Sequence, residues 1–186
     1  MSGKKIGLFV GSLRKGSYSK VLAHFIEGLS SDSFSYTIIE LGDLPVYNQD
    51  FDDHGPVPEA YTKFRQAVKP LDGFIFITPE YNRSVPAVLK NALDVGSRPY
   101  GHSVWSAKPG AVISNSPGIY GGFGANHHLR QSLVFLDVYP MQQPESYLAK
   151  INTFINEQGE ITTDGLKDTL VSFVGAFEKW VKTVQG

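Results

Sequence analysis

The chain has 186 residues, of which 41% are hydrophobic and 19% charged, and its formal net charge is −1. Residues 1–186 are therefore predicted to form one packed domain, and the near-neutral charge argues against binding to nucleic acid or to an acidic membrane. The absence of cysteine excludes disulfides, thiolate catalysis and cysteine-ligated metals. The apolar run after residue 5 is too short for a signal peptide or a membrane span, so we expect a cytoplasmic protein.

Apolar runs alternate with helical patterns along the chain, which is typical of βα units and a parallel sheet. Five strands and five helices predict an α/β fold in three layers, with a doubly wound, five-stranded parallel sheet. The long polar segment 42–58 is expected to be either functional or disordered. The predicted strands are residues 4–10, 36–41, 72–78, 110–114 and 137–141, and the predicted helices are residues 19–29, 58–69, 87–93, 125–136 and 164–184.

The segment 11–20, between the first strand and the first helix, is rich in glycine, serine and basic residues. The N–H groups at a helix start point outward and the helix dipole favours negative charge there. Ser12, Ser17 and Ser19 add hydroxyl donors, and Arg14 can bind two phosphate oxygens at once. The segment predicts an anion site for the phosphate of a cofactor. An ordinary strand-to-helix turn with solvated side chains remains an equal alternative.

Two well-known phosphate loops do not match this segment. A Walker A loop requires lysine and then serine or threonine after its second glycine, whereas Gly16 is followed by Ser17 and Tyr18. A dinucleotide fingerprint requires a second glycine where Leu13 stands. A single phosphate therefore fits better than a diphosphate or a triphosphate.

Two further unusual loops follow the third and fourth predicted strands. In a doubly wound sheet, ligands bind beyond the carboxyl ends of the strands, where the winding direction reverses, and FMN binds there in the flavodoxin-like strand order. Residues 79–82 would present N–H groups and an amide to the edge of a flavin ring. Residues 116–124 contain four glycines, which let the main chain approach a flat ring closely. For both loops, a solvated surface loop is the alternative.

The sequence offers no arrangement for metal catalysis or for a nucleophile. His127 and His128 are adjacent, so on a helix they diverge and do not readily share a metal ion. We also find no serine elbow and no carboxylate pair that can be placed across a cleft. The chemistry is therefore expected to come from a cofactor that the protein binds and orients.

The chain resembles the NAD(P)H-dependent FMN reductase family of flavodoxin-like proteins, in particular its bacterial branch of quinone, chromate and azo-compound reductases. The resemblance covers nearly the whole chain. It is carried by Gly-Ser-Leu-Arg-Lys-Gly-Ser at 11–17, Pro-Glu-Tyr-Asn at 79–82, Ser-x-Pro-x-x-Leu-Lys-Asn-Ala-x-Asp at 84–94 and Leu-Arg-Gln-x-Leu at 129–133.

The resemblance implies FMN as cofactor and NADPH or NADH as reductant. It also implies small-molecule electron acceptors such as quinones, flavins or azo compounds, and a homodimer or homotetramer. Hydride transfer through FMN would need no obligatory acid or base from the protein. A flavodoxin-type electron carrier is the alternative, but it usually needs a strongly charged docking face, which the net charge argues against. A receiver domain of the same fold would need clustered acids after the first strand, where this chain is basic.

The resemblance also implies which residues form the site, with the first loop on the phosphate, the second on the ring and Ser116 at its far edge. Ser19 stands where the family usually has asparagine. Arg83 stands where it often has an aromatic residue. Arg83 would favour an anionic acceptor or the phosphate of NADPH, with a solvated surface arginine as the alternative. The complete predicted cofactor site consists of Ser12, Leu13, Arg14, Lys15, Gly16, Ser17, Tyr18, Ser19, Pro79, Glu80, Tyr81, Asn82, Arg83, Ser116 and Gly118.

Overall fold

A computed structural model describes residues 3–186, so the first two residues of the predicted domain lie outside the described residues. The strands and helices alternate along most of the chain, as the hydrophobic pattern predicts, although two helices lie between the second and third strands. The strands are β1 (Lys4–Val10), β2 (Phe34–Ile39), β3 (Gly73–Thr78), β4 (Lys108–Asn115), β5 (Val138–Pro140) and β6 (Ser146–Leu148). The helices are α1 (Tyr18–Glu27), α2 (Asp50–Asp53), α3 (Glu59–Val68), α4 (Ala87–Gly96), α5 (Phe123–Phe135) and α6 (Asp164–Gln185).

The strands form one parallel sheet in the order β2-β1-β3-β4-β5, with β6 also paired to β4. Side chains alternate between two cores, because successive residues of a strand point to opposite faces. Ile75 and Ile77 of β3 pack against α1 and α6, whereas Phe74 and Phe76 pack against α3, α4 and α5. The predicted three-layer, doubly wound fold is confirmed, and the winding reverses between β1 and β3 as expected.

The last position of the sheet is shared by two short strands, where the sequence predicts one. Pro140 of β5 pairs with Gly110 near the start of β4, whereas Ser146 of β6 pairs with Ile113 near its end. The chain leaves the sheet over residues 141–145 and returns for β6. The predicted fifth strand is therefore present but shorter than expected, and β6 is an addition that places residues 146–148 beside the end of β4.

The long segment 42–58 is ordered and includes α2. Asn91 of α4 accepts a hydrogen bond from the Tyr47 N–H at 2.8 Å and donates to the Pro45 carbonyl at 2.8 Å. Arg65 of α3 donates two hydrogen bonds of 2.8 Å to the carboxylate of Asp52. The segment is therefore held against α3 and α4 by polar side chains. Within residues 3–186, we find no helix with both the length and the apolar character needed to cross a membrane.

Candidate functional site

Three loops meet at the carboxyl edge of the sheet, after β1, β3 and β4. They surround a cavity of about 110 Å³ at the point where the winding reverses. The three loops that the sequence singled out are therefore neighbours in space. The cavity is lined by Ser12, Arg14, Ser17, Tyr18, Ser19, Pro79, Glu80, Tyr81, Asn115, Ser116 and Pro117.

The loop after β1 leaves the sheet beside the end of β3. Gly11 donates a hydrogen bond to the Ile77 carbonyl at 2.9 Å, and a Cβ at Gly11 would lie 2.8 Å from the hydroxyl oxygen of Thr78. Glycine is therefore needed here because the two strand ends approach closely. Ser17 then caps α1, and its hydroxyl accepts a hydrogen bond from the Lys20 N–H at 3.3 Å.

The same loop carries a set of main-chain donors, some of them on residues that line the cavity. Within residues 3–186, the main-chain N–H groups of residues 13–19 donate no hydrogen bond to another protein atom. The first turn of α1 carries no acidic residue, and Arg14 reaches the cavity from the loop. Free N–H groups, a helix start and a guanidinium together suit a phosphate group.

The floor of the cavity is a buried hydrogen bond between α1 and β4. The Asn115 amide donates to the Ser19 hydroxyl at 2.8 Å and to the Thr78 carbonyl at 3.3 Å. Sequence reasoning missed Asn115, although an amide at the end of an otherwise apolar strand was an available signal. The hydroxyl of Ser19 is thus bonded to a neighbouring amide of the protein.

The loop after β3 contains a tight turn over residues 81–84. Asn82 and Arg83 have φ of 49° and 65°, and Tyr81 and Ser84 exchange two main-chain hydrogen bonds of 3.1 and 2.9 Å. These values describe a type I′ turn, which favours asparagine or glycine and is uncommon for arginine. The side chains of Asn82 and Arg83 lie outside the cavity lining, whereas Pro79, Glu80 and Tyr81 contribute to it.

Glu80 joins this turn to the next helix. One of its oxygens accepts a hydrogen bond from the Ala125 N–H, in the first turn of α5, at 3.0 Å. The other accepts from the Arg83 guanidinium at 3.2 Å. A Cβ on Gly124 would lie 2.8 Å from both the Glu80 carboxylate and the Arg83 carbonyl oxygen. Gly124 therefore allows the turn and the helix to touch.

The loop after β4 is supported by the end of β6 and by the segment that follows it. Ser116 donates its N–H to the Leu148 carbonyl at 3.0 Å, and the Gly118 carbonyl accepts from the Lys150 N–H at 3.0 Å. The Ser116 hydroxyl also accepts from the Gly118 N–H at 2.9 Å. Ser116 faces the cavity, and Gly118 lies just beyond its lining.

Other predicted residues belong to the loop without facing the cavity. Leu13, Lys15 and Gly16 are exposed and lie outside the lining. A Cβ at Gly16 would meet no other atom within 4 Å, so close packing does not require glycine there. These three residues remain predictions on the basis of their position in the loop.

One titratable group near the site has a shifted pKa. Tyr147 of β6 shares a hydrogen bond of 2.9 Å with the ring of His127 on α5. Burial, together with the carboxylate of Glu145, raises the pKa of Tyr147 to about 12. The phenol is therefore protonated at neutral pH. Within residues 3–186, no three histidine, aspartate or glutamate side chains are grouped as metal ligands.

Comparison with known proteins identifies the family. Residues 4–153 match the family model for NADPH-dependent FMN reductase. The chain belongs to the NADPH-dependent FMN reductase family. It is 50% identical to a quinone reductase from Pseudomonas putida over 177 residues, covering 95% of this chain and 94% of the relative. It is 43% identical to a 2-hydroxy-1,4-benzoquinone reductase from a Burkholderia species, covering 96% of each chain.

A solved structure supports the same assignment. FerB, a flavoenzyme NAD(P)H:acceptor oxidoreductase from Paracoccus denitrificans, superposes with a TM-score of 0.87 at 34% identity, covering 97% of this chain and 98% of FerB. The predicted family, fold and enzyme class are confirmed, as is FMN with NAD(P)H as the family's cofactor and reductant. The electron-carrier alternative is not supported, since the relatives are reductases with acceptors of their own.

Proposed function

We propose that the cavity after β1 holds the phosphate end of FMN. Arg14 and the N–H groups of residues 13–19 would bind the phosphate oxygens, with Ser12 and Ser17 as hydroxyl donors. The observation that carries this assignment is the set of loop N–H groups with no acceptor within residues 3–186, several of them on residues that line the cavity, such as Arg14, Ser17 and Ser19. The cavity itself is small, so only the phosphate and the first carbons of the ribityl chain would occupy it.

The ring of FMN would lie across the other two loops. Pro79, Tyr81 and Ser116 all line the cavity, so the ring would continue from the phosphate site along the two loops that carry them. Glu80 would act by holding the turn against α5. When bound, FMN would supply the hydride and electron transfer between NAD(P)H and an acceptor. The protein residues would contribute by binding and orientation.

The acceptor that fits best is a quinone. Overall, NAD(P)H, a proton from solvent and a quinone give NAD(P)⁺ and a hydroquinone. Two observations support this class. Relatives that match almost the whole chain are named as quinone reductases. Exposed aromatic side chains around the site also offer flat surfaces to an aromatic acceptor: Tyr81 and Tyr120 lie on its loops, and Phe123 begins α5.

Anaerobic half-reactions test this function. The purified protein, loaded with FMN, is titrated with NADPH and separately with NADH while flavin absorbance is followed, and 1,4-benzoquinone is then added. We expect loss of the flavin absorbance with at least one nucleotide and its full return with one equivalent of the quinone. Flavin that is reduced but not reoxidised by the quinone would contradict the proposed acceptor.

We also propose that the protein is a homodimer or homotetramer of the cytoplasm, where its NAD(P)H reductant is available. A groove of about 940 Å³ between α4 and α5 is bordered by Tyr100 and Phe135, whose surfaces are 90% and 89% exposed. Large exposed apolar side chains are typical of contact surfaces. Sedimentation of the wild type and of Phe135→Glu tests this assembly, and a wild-type monomer would contradict it. Cell fractionation tests the location.

A further inference from the structure

Arg83 connects two of the three loops around the site. Its guanidinium carbon lies 4.9 Å from the centre of the Tyr120 ring, in the loop after β4. Its Nη1 lies 3.2 Å from a carboxylate oxygen of Glu80, in the loop after β3. The cation is therefore held between the two loops that border the proposed ring site.

The main chain at Arg83 is held in a hydrogen-bonded turn. It occupies the second central position of the type I′ turn, and Tyr81 and Ser84 close that turn with two hydrogen bonds. A left-handed conformation costs an arginine more than a glycine or an asparagine. The backbone conformation at this position is therefore unfavourable for arginine. The contacts of the Arg83 side chain are the feature that could offset this cost.

The charge of Arg83 is only partly compensated by the protein. Glu80 also accepts a hydrogen bond from the Ala125 N–H, so its negative charge is shared with the positive start of α5. A guanidinium has five N–H donors, of which one is directed at Glu80. The Arg83 side chain is 68% exposed, so other donors face solvent at the edge of the site.

We infer that Arg83, positioned by Tyr120 and Glu80, is a specificity-determining residue that favours aromatic acceptors carrying an anionic oxygen, such as ionised hydroxyquinones. An ionised oxygen on the acceptor would accept charge-assisted hydrogen bonds from the free guanidinium N–H groups, while its flat ring lies near Tyr81 and Tyr120. The inference rests on the proposed function, because it assumes that the acceptor occupies the same site.

A matched pair of acceptors tests the inference by turnover. The ratio of kcat/KM for 2-hydroxy-1,4-benzoquinone, which is ionised at pH 7, to kcat/KM for neutral 1,4-benzoquinone is measured in the wild type and in Arg83→Gln. We expect the ratio to fall about three- to tenfold in Arg83→Gln, as befits one exposed charge-assisted contact. Arg83→Lys keeps the charge but not the planar guanidinium, so its ratio should lie between those of the wild type and Arg83→Gln.

The control variant is Lys179→Gln, which removes one positive charge from the exposed face of α6, away from the site. It should leave the ratio unchanged, and raising the salt concentration should lower the wild-type ratio more than the Arg83→Gln ratio. An equal fall in Lys179→Gln would show that net charge, and not Arg83, determines the preference. An unchanged ratio in Arg83→Gln would overturn the inference.

A binding measurement without turnover provides the second readout. Benzoate and benzamide have nearly the same shape but differ in charge, and their binding to the FMN-loaded protein is followed by the shift in flavin absorbance. We expect Arg83→Gln to weaken the binding of benzoate more than the binding of benzamide. Equal weakening of both ligands would show that Arg83 only maintains the loops, and would overturn the inference.

The remaining outcomes distinguish this inference from the proposed function. If Arg83→Gln raises KM for NADPH but not for NADH, and leaves the quinone ratio unchanged, Arg83 binds the phosphate of the reductant and the inference is wrong. If the wild type neither retains FMN nor reduces 1,4-benzoquinone, the proposed function itself fails. A wild type that reduces both quinones, with a ratio insensitive to position 83, rejects only the inference.

Discussion

The Asn115 side-chain amide donates a 2.8 Å hydrogen bond to the Ser19 hydroxyl and joins the end of β4 to the first turn of α1. The two residues are 2% and 1% exposed, and the same amide reaches the Thr78 carbonyl at the end of β3. One side chain therefore links three elements beneath the proposed phosphate site. Because buried polar groups need partners, this link should be sensitive to substitution.

Asn115→Ala should weaken both folding and FMN binding. The substitution leaves the Ser19 hydroxyl and the Thr78 carbonyl without their buried partner, which costs about 1–3 kcal/mol. Urea unfolding of the apoprotein and titration of FMN by fluorescence quenching measure the two effects. Asn126→Ala is the matched control, because Asn126 is buried and bonded to Ser114 but lies outside the cavity. It should destabilise the fold while leaving the FMN Kd nearly unchanged, and equal effects on Kd would argue against a local role for Asn115.

Arg14→Ala should raise the FMN Kd at least about tenfold, because a charge-assisted hydrogen bond to phosphate contributes about 1.5–3 kcal/mol. Arg14→Lys should retain part of the affinity, since it keeps the charge but not the bidentate geometry. Stability should change little, because Arg14 is exposed in the protein without ligand. An Arg14→Ala protein that purifies with full flavin and normal affinity would remove Arg14 from the phosphate site.

Gly124→Ala should disturb the contact between α5 and the turn at residues 81–84. Its new methyl group would lie 2.8 Å from the Arg83 carbonyl oxygen and from the Glu80 carboxylate. Such overpacking typically costs about 1–3 kcal/mol, and the displaced turn should also weaken FMN binding. Gly175→Ala is the control, because a Cβ there meets nothing within 4 Å and alanine favours the helix α6. In thermal unfolding, the Tm of Gly124→Ala should lie below that of the wild type and the Tm of Gly175→Ala above it.

The pair of Arg65 and Asp52 should make stability depend on pH. The hydrogen bonds from Arg65 hold the pKa of the Asp52 carboxyl below its usual value. A depressed folded pKa means that the stabilisation is present above the unfolded value of about 3.9 and is lost as pH falls through the folded value. Asp52→Asn should therefore lower the free energy of unfolding at pH 7 by about 3 kcal/mol, because the buried Arg65 cation loses its counter-charge.

The same substitution should flatten the acid limb of the stability curve. Urea unfolding between pH 7 and pH 3 measures this, with Glu59→Gln as the control. Glu59 pairs with Lys63 on the same helix, but both side chains are more than 70% exposed. An exposed pair adds little to stability, so Glu59→Gln should follow the wild-type curve. A curve for Asp52→Asn that is parallel to the wild type would show that this carboxylate does not set the acid limb.

The fold could be predicted because buried, mostly apolar runs mark β1, β3 and β4 as strands that are covered on both faces. The strand β6 could not be predicted, since Ser146–Leu148 is only three residues long and begins two residues after Pro144. Its place beside β4 depends on pairing between residues more than thirty positions apart, such as Ile113 and Ser146. Such distant contacts leave no periodic pattern in the sequence.

Part of the candidate site could likewise be predicted from the sequence, and part could not. Turn chemistry and charge indicated the loop after β1, and the structure places Ser12, Arg14 and Ser17 around one cavity. The roles of Asn115 and Glu80 rest on partners that lie far away in sequence, Ser19 and Ala125. Local pattern predicts which loops carry function, whereas long-range hydrogen bonds decide which side chains hold those loops in place.

The most direct measurement compares the binding of FMN and riboflavin to the apoprotein, because the two ligands differ only in the phosphate. If the loop after β1 binds that phosphate, riboflavin should bind at least about 100-fold more weakly, as expected for two charge-assisted contacts. Arg14→Ala should reduce the ratio of the riboflavin Kd to the FMN Kd. Equal dissociation constants for the two flavins, or no binding of FMN at all, would contradict the phosphate site on which the proposed function depends.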